Sequence, residues 1–179
     1  MIETRHLRPL RLGAEHIRRL LPHRPPLLLV DGVSRFAEDP PSLVASKNVS
    51  TSEPVFAGHF PELWLWPGAY TIEGLAQTCS LLGTLSQVDR GFLESWQRTA
   101  TGFDQGISPP PGLAEPRAGG LLAAVDVKLT HPVWAGEQIE YRVARTHLVE
   151  SIHRFEVEAF VGHHAVASGT LSLAWRPAP

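Results

Sequence analysis

The sequence predicts an α+β fold in which a curled antiparallel sheet wraps one long, apolar helix. Two observations carry that prediction. Residues 69–86 read as a helix that is apolar over most of its surface, and such a helix is usually buried. The last third of the chain holds four stretches of alternating apolar and polar residues, the pattern of half-buried antiparallel strands.

The elements follow in order. Ile17, Leu20 and Leu21 fall at helical spacing with Arg18 and Arg19 opposite, so a short amphipathic helix opens the chain. It stops at Pro22, and Pro25-Pro26 cannot resume it. Leu27–Val30 is a short apolar run read as a buried strand, continued by Val33–Phe36 after a turn or bulge at Asp31-Gly32. Leu43–Val49 reads as a second strand. Residues 54–68 are dense in Pro, Gly and aromatic residues and fit no period, which makes them an ordered loop. The buried helix starts after Pro67-Gly68 and carries two polar residues that stand out in it, Glu73 and Gln77. Gly91–Thr99 can hold a helical turn, and residues 95–120 read as a Pro/Gly-rich loop or insertion. Four strands follow around Leu121–Leu129, Ile139–Val143, Phe155–Ala159 and Val166–Trp175, joined by turns at His131-Pro132, Ala135-Gly136, Glu150-Ser151 and Gly162-His163. That spacing suggests a meander.

Composition bounds the function. The chain has 179 residues, 43% hydrophobic and 19% charged. It reads as one globular domain, residues 1–179, able to bury about two-thirds of its unfolded surface. Lys+Arg is 16 against Asp+Glu 18, a net charge of −2, where a general nucleic-acid binder would be far more basic. The one cysteine, Cys79, excludes an internal disulfide framework and a Cys-rich zinc site. No apolar run approaches the roughly 18 residues of a membrane span. The N-terminal stretch, broken by Glu3, Arg5 and Arg8, lacks the core of a secretory signal. A soluble, cytoplasmic protein is the expectation.

The chemistry concentrates in Gly58-His59-Phe60-Pro61, Pro67-Gly68, Glu73 and Gln77. His59 sits in a loop pinned by Gly and Pro, where a rigid backbone can aim an imidazole for acid/base work near neutrality. Glu73 lies in an apolar helix, where burial is expected to raise its pKa and make it a usable acid. Gln77, four residues on, can orient that carboxyl. Gly68 starts the helix, where free N–H groups and the helix dipole favour a developing oxyanion. A base, an acid and an oxyanion donor are the equipment for removing a proton α to a carbonyl and expelling a β-hydroxyl.

These motifs resemble the FabZ family of 3-hydroxyacyl-[acyl-carrier-protein] dehydratases, which have the hot-dog fold. The family combines an LPHRxPxLLVD segment, a GHFP loop, a PG pair and an ExxAQ helix. Here they stand at Leu21–Asp31, Gly58–Pro61, Pro67-Gly68 and Glu73–Gln77, with the family's 14-residue step from His59 to Glu73. The resemblance covers roughly residues 16–86 and, less specifically, 121–175. It implies a homodimer that can assemble into a hexamer. It also implies an active site at the dimer interface where His59 of one subunit meets Glu73 of the other, and a thioester carbonyl polarised by the Gly68 N–H. The substrate would arrive on the phosphopantetheine arm of an acyl carrier protein, with no metal and no cofactor held by the protein. The docking patch for that acidic partner would draw on Arg90, Arg98, Arg117, Arg142, Arg145 or Arg154, among which the sequence does not choose. No nucleic acid and no membrane are implied.

Departures from the family pattern bear on the substrate. Glu62 and Trp64 replace a Gly and a Pro, and Ala69-Tyr70 replaces an aliphatic pair. Phe60, Trp64, Trp66 and Tyr70 are candidate walls of the acyl tunnel, and the departures point to a conjugated or polyketide-type chain of a specialised pathway in place of a plain growing fatty acid. The alternative is that Trp64 and Trp66 pack under the insertion. Three other functions compete with this reading. A dehydratase/isomerase of the related group carries Asp where Glu73 stands; a hot-dog thioesterase generally lacks the GHFP histidine; and a non-catalytic partner subunit would be free to lose His59 or Glu73. Outside these motifs, His147 and His153 read as solvated, His23 and Arg24 as structural and Cys79 as a packing residue. His163-His164 point to opposite faces of a strand and do not form a joint metal site.

Overall fold

The computed structural model describes residues 1–99 and 120–175. The chain runs β1 (Arg8–Leu12), α1 (Ala14–Leu20), β2 (Gly32–Glu38), β3 (Pro41–Asn48), a 3-10 turn (Pro54–Ala57), α2 (Gly68–Leu85) and α3 (Arg90–Thr99). It continues through β4 (Leu121–Leu129), β5 (Gln138–Val149), β6 (Ile152–Val161) and β7 (His164–Ala174). All seven strands form one antiparallel sheet in the order β1-β2-β3-β5-β6-β7-β4.

The sheet's inner face is written in the alternation of its strands. Tyr141 and Val143 of β5, Phe155 and Val157 of β6, and Leu171 and Leu173 of β7 are all at most 1% exposed. They close on α2, which packs against β3, β5, β6 and β7. Burying such side chains contributes about 1.5–3 kcal/mol each, which is why an amphipathic sheet curls around an apolar helix. Gly74 shows how tight the contact is. The Tyr141 hydroxyl occupies the space a Cβ would need there, and burial pushes the Tyr141 phenol well above its ordinary pKa.

The last four strands do not form the simple meander that their spacing suggests. β5, β6 and β7 follow one another, but β4 pairs with β7, and β5 pairs with β3. The link from β4 to β5 crosses the end of the curl where α2 begins. It is tied down there by Trp66 N–H to Val133 O (2.8 Å), Ala135 N–H to Trp64 O (3.1 Å) and Gly136 N–H to Val49 O (2.7 Å). Gly136 takes φ +94°, a left-handed turn conformation that glycine adopts without penalty.

Three further expectations are corrected. Leu27–Val30 is not a strand, because its backbone groups bond to a side chain of α2 instead of a ladder; β2 starts at Gly32. β1, unseen in the sequence, is an edge strand, the position in a sheet that tolerates its Pro9. Residues 95–99 belong to helix α3 and not to a loop, and the rest of the expected insertion, residues 100–119, lies outside the described residues. Helix α3 buries Leu93 and Trp96.

Candidate active site

The GHFP loop hangs from the 3-10 turn. His59 N–H donates to Val55 O at 2.8 Å, which fixes the backbone before the side chain is placed. Its ring then bonds through Nδ1 to Leu65 O at 3.0 Å. A carbonyl only accepts, so Nδ1 carries a proton, and in the neutral ring Nε2 is then the nitrogen with the lone pair. Phe60 stacks on the imidazole with centroids 4.2 Å apart. Leu65 and Trp66 lead into a cleft of about 310 Å³ that is also lined by Gly68, Thr71 and the 129–133 link. Gly68 is the first residue of α2, so its N–H has no partner within the helix. A side chain there would run into Leu129.

The acid candidate sits elsewhere. Glu73 lines a second cleft of about 300 Å³, with His23, Ala76, Gln77, Ser80 and Leu122. Gln77 Nε2 donates to Glu73 Oε1 at 2.9 Å and to Leu27 O at 2.7 Å, while its Oε1 accepts from Leu29 N–H at 2.9 Å. Gln77 therefore holds the carboxyl and clamps the 27–29 segment to α2. The expected burial of Glu73 is corrected: its side chain is 36% exposed, because its face of α2 opens onto the cleft and not onto the sheet.

His23 is the residue that sequence reasoning missed. Its Nε2 lies 3.4 Å from Glu73 Oε1. Both neighbours of the carboxyl approach Oε1, and neither engages Oε2. The only signal was its place in the LPHR segment. Of the candidate tunnel residues, Trp66 lines the first cleft and is 2% exposed. It packs on Phe56 and edge-on to Tyr70. Trp64 stacks loosely on Phe56 and is 51% exposed; Phe60, Trp64 and Tyr70 do not line that cleft. His153 is not solvated as expected; it packs against Trp175, and burial lowers its pKa. Cys79 is fully buried, which pushes its thiol pKa up and suits a packing role. Of the six Arg considered for docking, Arg90 pairs with Glu94 and Arg142 with Glu140, and Arg117 lies outside the described residues. Among the described residues no group of three or more His, Cys, Asp or Glu is placed to hold a metal ion. No described helix is long and apolar enough to cross a membrane.

The model of the FabA-like domain matches residues 21–108, a span that includes His59, Gly68, Glu73 and Gln77. The 3-hydroxyacyl-[acyl-carrier-protein] dehydratase FabZ of Rhodopseudomonas palustris (strain TIE-1) is 36% identical over 151 residues, which is 84% of each chain. The chain belongs to the FabZ family. A second FabZ, from Thermotoga neapolitana, is 54% identical over 71 residues, 40% of this chain and 50% of that one. Among solved structures, the dehydratase heterocomplex ApeI:P from Xenorhabdus doucetiae aligns at a TM-score of 0.60 and 20% identity, covering 90% of this chain and 91% of that one. That likeness is one of fold, and the fold is the hot-dog of the FabZ family.

Proposed function

We propose that this FabZ-family chain dehydrates (3R)-3-hydroxyacyl groups on acyl carrier protein, giving the trans-2-enoyl thioester and water. The observation that carries the reading is the orientation of His59. With Nδ1–H committed to Leu65 O, Nε2 is the atom available to take the C2 proton. Glu73, held by Gln77, gives its proton to the C3 hydroxyl as the C3–O bond breaks, so the oxygen leaves as water. The negative charge that builds on the thioester oxygen is met by the Gly68 N–H at the start of α2. Fatty-acid biosynthesis is the setting that the family supports.

Within one chain the base stands beside one cleft and the acid lines another. A homodimer supplies the missing half of each site, His59 from one subunit facing Glu73 of its partner. The test is mass spectrometry of 3-hydroxyacyl carrier protein incubated with the wild type, His59→Ala and Glu73→Gln, in both the dehydrating and hydrating directions. The wild type is expected to remove or add one water. Each variant should lose about 100-fold or more of that activity. Near-normal turnover by either variant would refute the role given to that residue, and release of free thiol would reveal a thioesterase instead.

A further inference from the structure

One ring keeps two glycines on different elements free of side chains. Gly83 lies inside α2, where glycine costs about 1 kcal/mol relative to alanine. A Cβ on Gly83 would fall 2.5 Å from Cζ2 of Trp175. A Cβ on Gly120, just before β4, would fall 2.8 Å from Cζ3 of the same indole. Trp175 follows β7 and is fixed by its N–H to Ser151 O at 2.7 Å. His153 packs against the ring with centroids 4.3 Å apart, and Phe155 lies at 6.4 Å.

The cleft that holds Glu73 borders this ring at one point: Gly120, one of its lining residues, is the glycine whose Cβ site the indole crowds. On its helix side are Glu73, Ala76, Gln77 and Ser80; on its strand side are Gly120, Leu121 and Leu122. Gly83 is two turns beyond Ala76 on the same face of α2. The indole thus meets the cleft's strand-side lining at Gly120 and meets α2 at Gly83, about one turn past Ser80, the last helix residue that lines the cleft.

We propose that Trp175 is the end wall of the acyl cleft and sets the chain length that this protein accepts. The inference rests on the dehydratase reading above and deepens it: the substrate class is an acyl chain of limited length. Trp175 is a specificity-determining residue and takes no part in the chemistry. Glu73 and Gly83 are about 15 Å apart along the helix axis. Contact with the ring takes about 4 Å of that. The remaining length holds about nine carbon–carbon bonds at ~1.25 Å per bond along an extended chain. Counted from C3, chains of up to about twelve carbons fit and chains of about sixteen do not.

The test measures kcat/KM for 3-hydroxyacyl carrier proteins with eight, twelve and sixteen carbons. Wild type, Trp175→Ala and the milder Trp175→Phe are compared, each checked for folding by thermal unfolding. In the wild type the sixteen-carbon chain is expected to be at least about tenfold poorer than the twelve-carbon chain. Trp175→Ala should remove most of that drop and Trp175→Phe part of it. The same length profile in the wild type and a folded variant overturns the end wall, as does a wild type that takes all three chains equally. A wild type that turns over none of them overturns the dehydratase reading and the end wall with it.

Discussion

Gln77 is the side chain on which the acid half of the site depends. It is 1% exposed and spends both amide hydrogens and its oxygen on three partners that no other residue brings together. Gln77→Leu strands Leu29 N–H and Leu27 C=O, and a buried unpaired group costs about 1–3 kcal/mol. A lower Tm and a fall in kcat of about 10-fold or more are therefore expected together, the second because Glu73 loses its nearest donor. His23→Leu separates the two effects. The described contacts of the His23 ring are to Glu73, so kcat should fall while Tm stays close to wild type. Equal loss of Tm in both variants would make His23 a packing residue. The sequence showed the Glu73–Gln77 pair because both lie on one helix at four-residue spacing. It hid Leu27, Leu29 and His23, whose positions depend on a chain that returns about 50 residues away in sequence to lie on α2.

At the scale of elements, legibility followed periodicity. β4, β7 and α2 carry clear periods and match their true bounds closely, whereas β5 and β6 show only their central residues in the pattern and run well beyond them. β1 and α3 were missed or cut short because packing, not pattern, decides them. They share a junction built on His16, which is 0% exposed in α1. His16 Nδ1 accepts from Gly13 N–H at 3.2 Å, so Nε2–H donates to Trp96 O of α3 at 3.1 Å. The Trp96 ring stands edge-on to it, with centroids 4.5 Å apart. Only the neutral ring satisfies both bonds. Burial lowers the His16 pKa below 6.5, with Arg19 adding to this and the Trp96 carbonyl and Glu15 opposing it. The unfolded chain therefore takes up the proton first as pH falls, and the contribution of His16 to stability, present above about pH 6.5, is lost below it. Tm should drop between about pH 7.5 and about pH 5.5, and His16→Gln should flatten that dependence. His153, shifted in the same direction, will leave part of the slope in place. An unchanged slope in His16→Gln would remove His16 from the account.

At the scale of the whole molecule, β4 is the edge that calls for a second copy. Its residues pair directly with the inner face of β7: Leu122 with Leu173, Val125 with Leu171 and Leu129 with Ala167. Directly paired residues point to the same side of a sheet. Yet Leu173, Leu171 and Ala167 are fully buried, while Leu122, Val125 and Leu129 are 42%, 48% and 47% exposed. Only the Leu129 end of β4 meets α2, at Gly68, so among the described residues an inward-facing apolar row is left half in solvent at the edge of the sheet. A two-fold partner would cover that row with its own copy of the same surface. It would also bring each Glu73 cleft, which shares Leu122 with the row, toward the partner's GHFP loop. Val125→Lys places a charge in the middle of the row without touching His59, Glu73 or Gln77. The expected result is a monomer by sedimentation equilibrium, with native-like circular dichroism and dehydration reduced by about 100-fold or more, since each site then lacks its second half. A variant that stays dimeric would move the interface away from β4. A monomer with wild-type turnover would show that one chain assembles base and acid by itself, and the shared site would have to be given up.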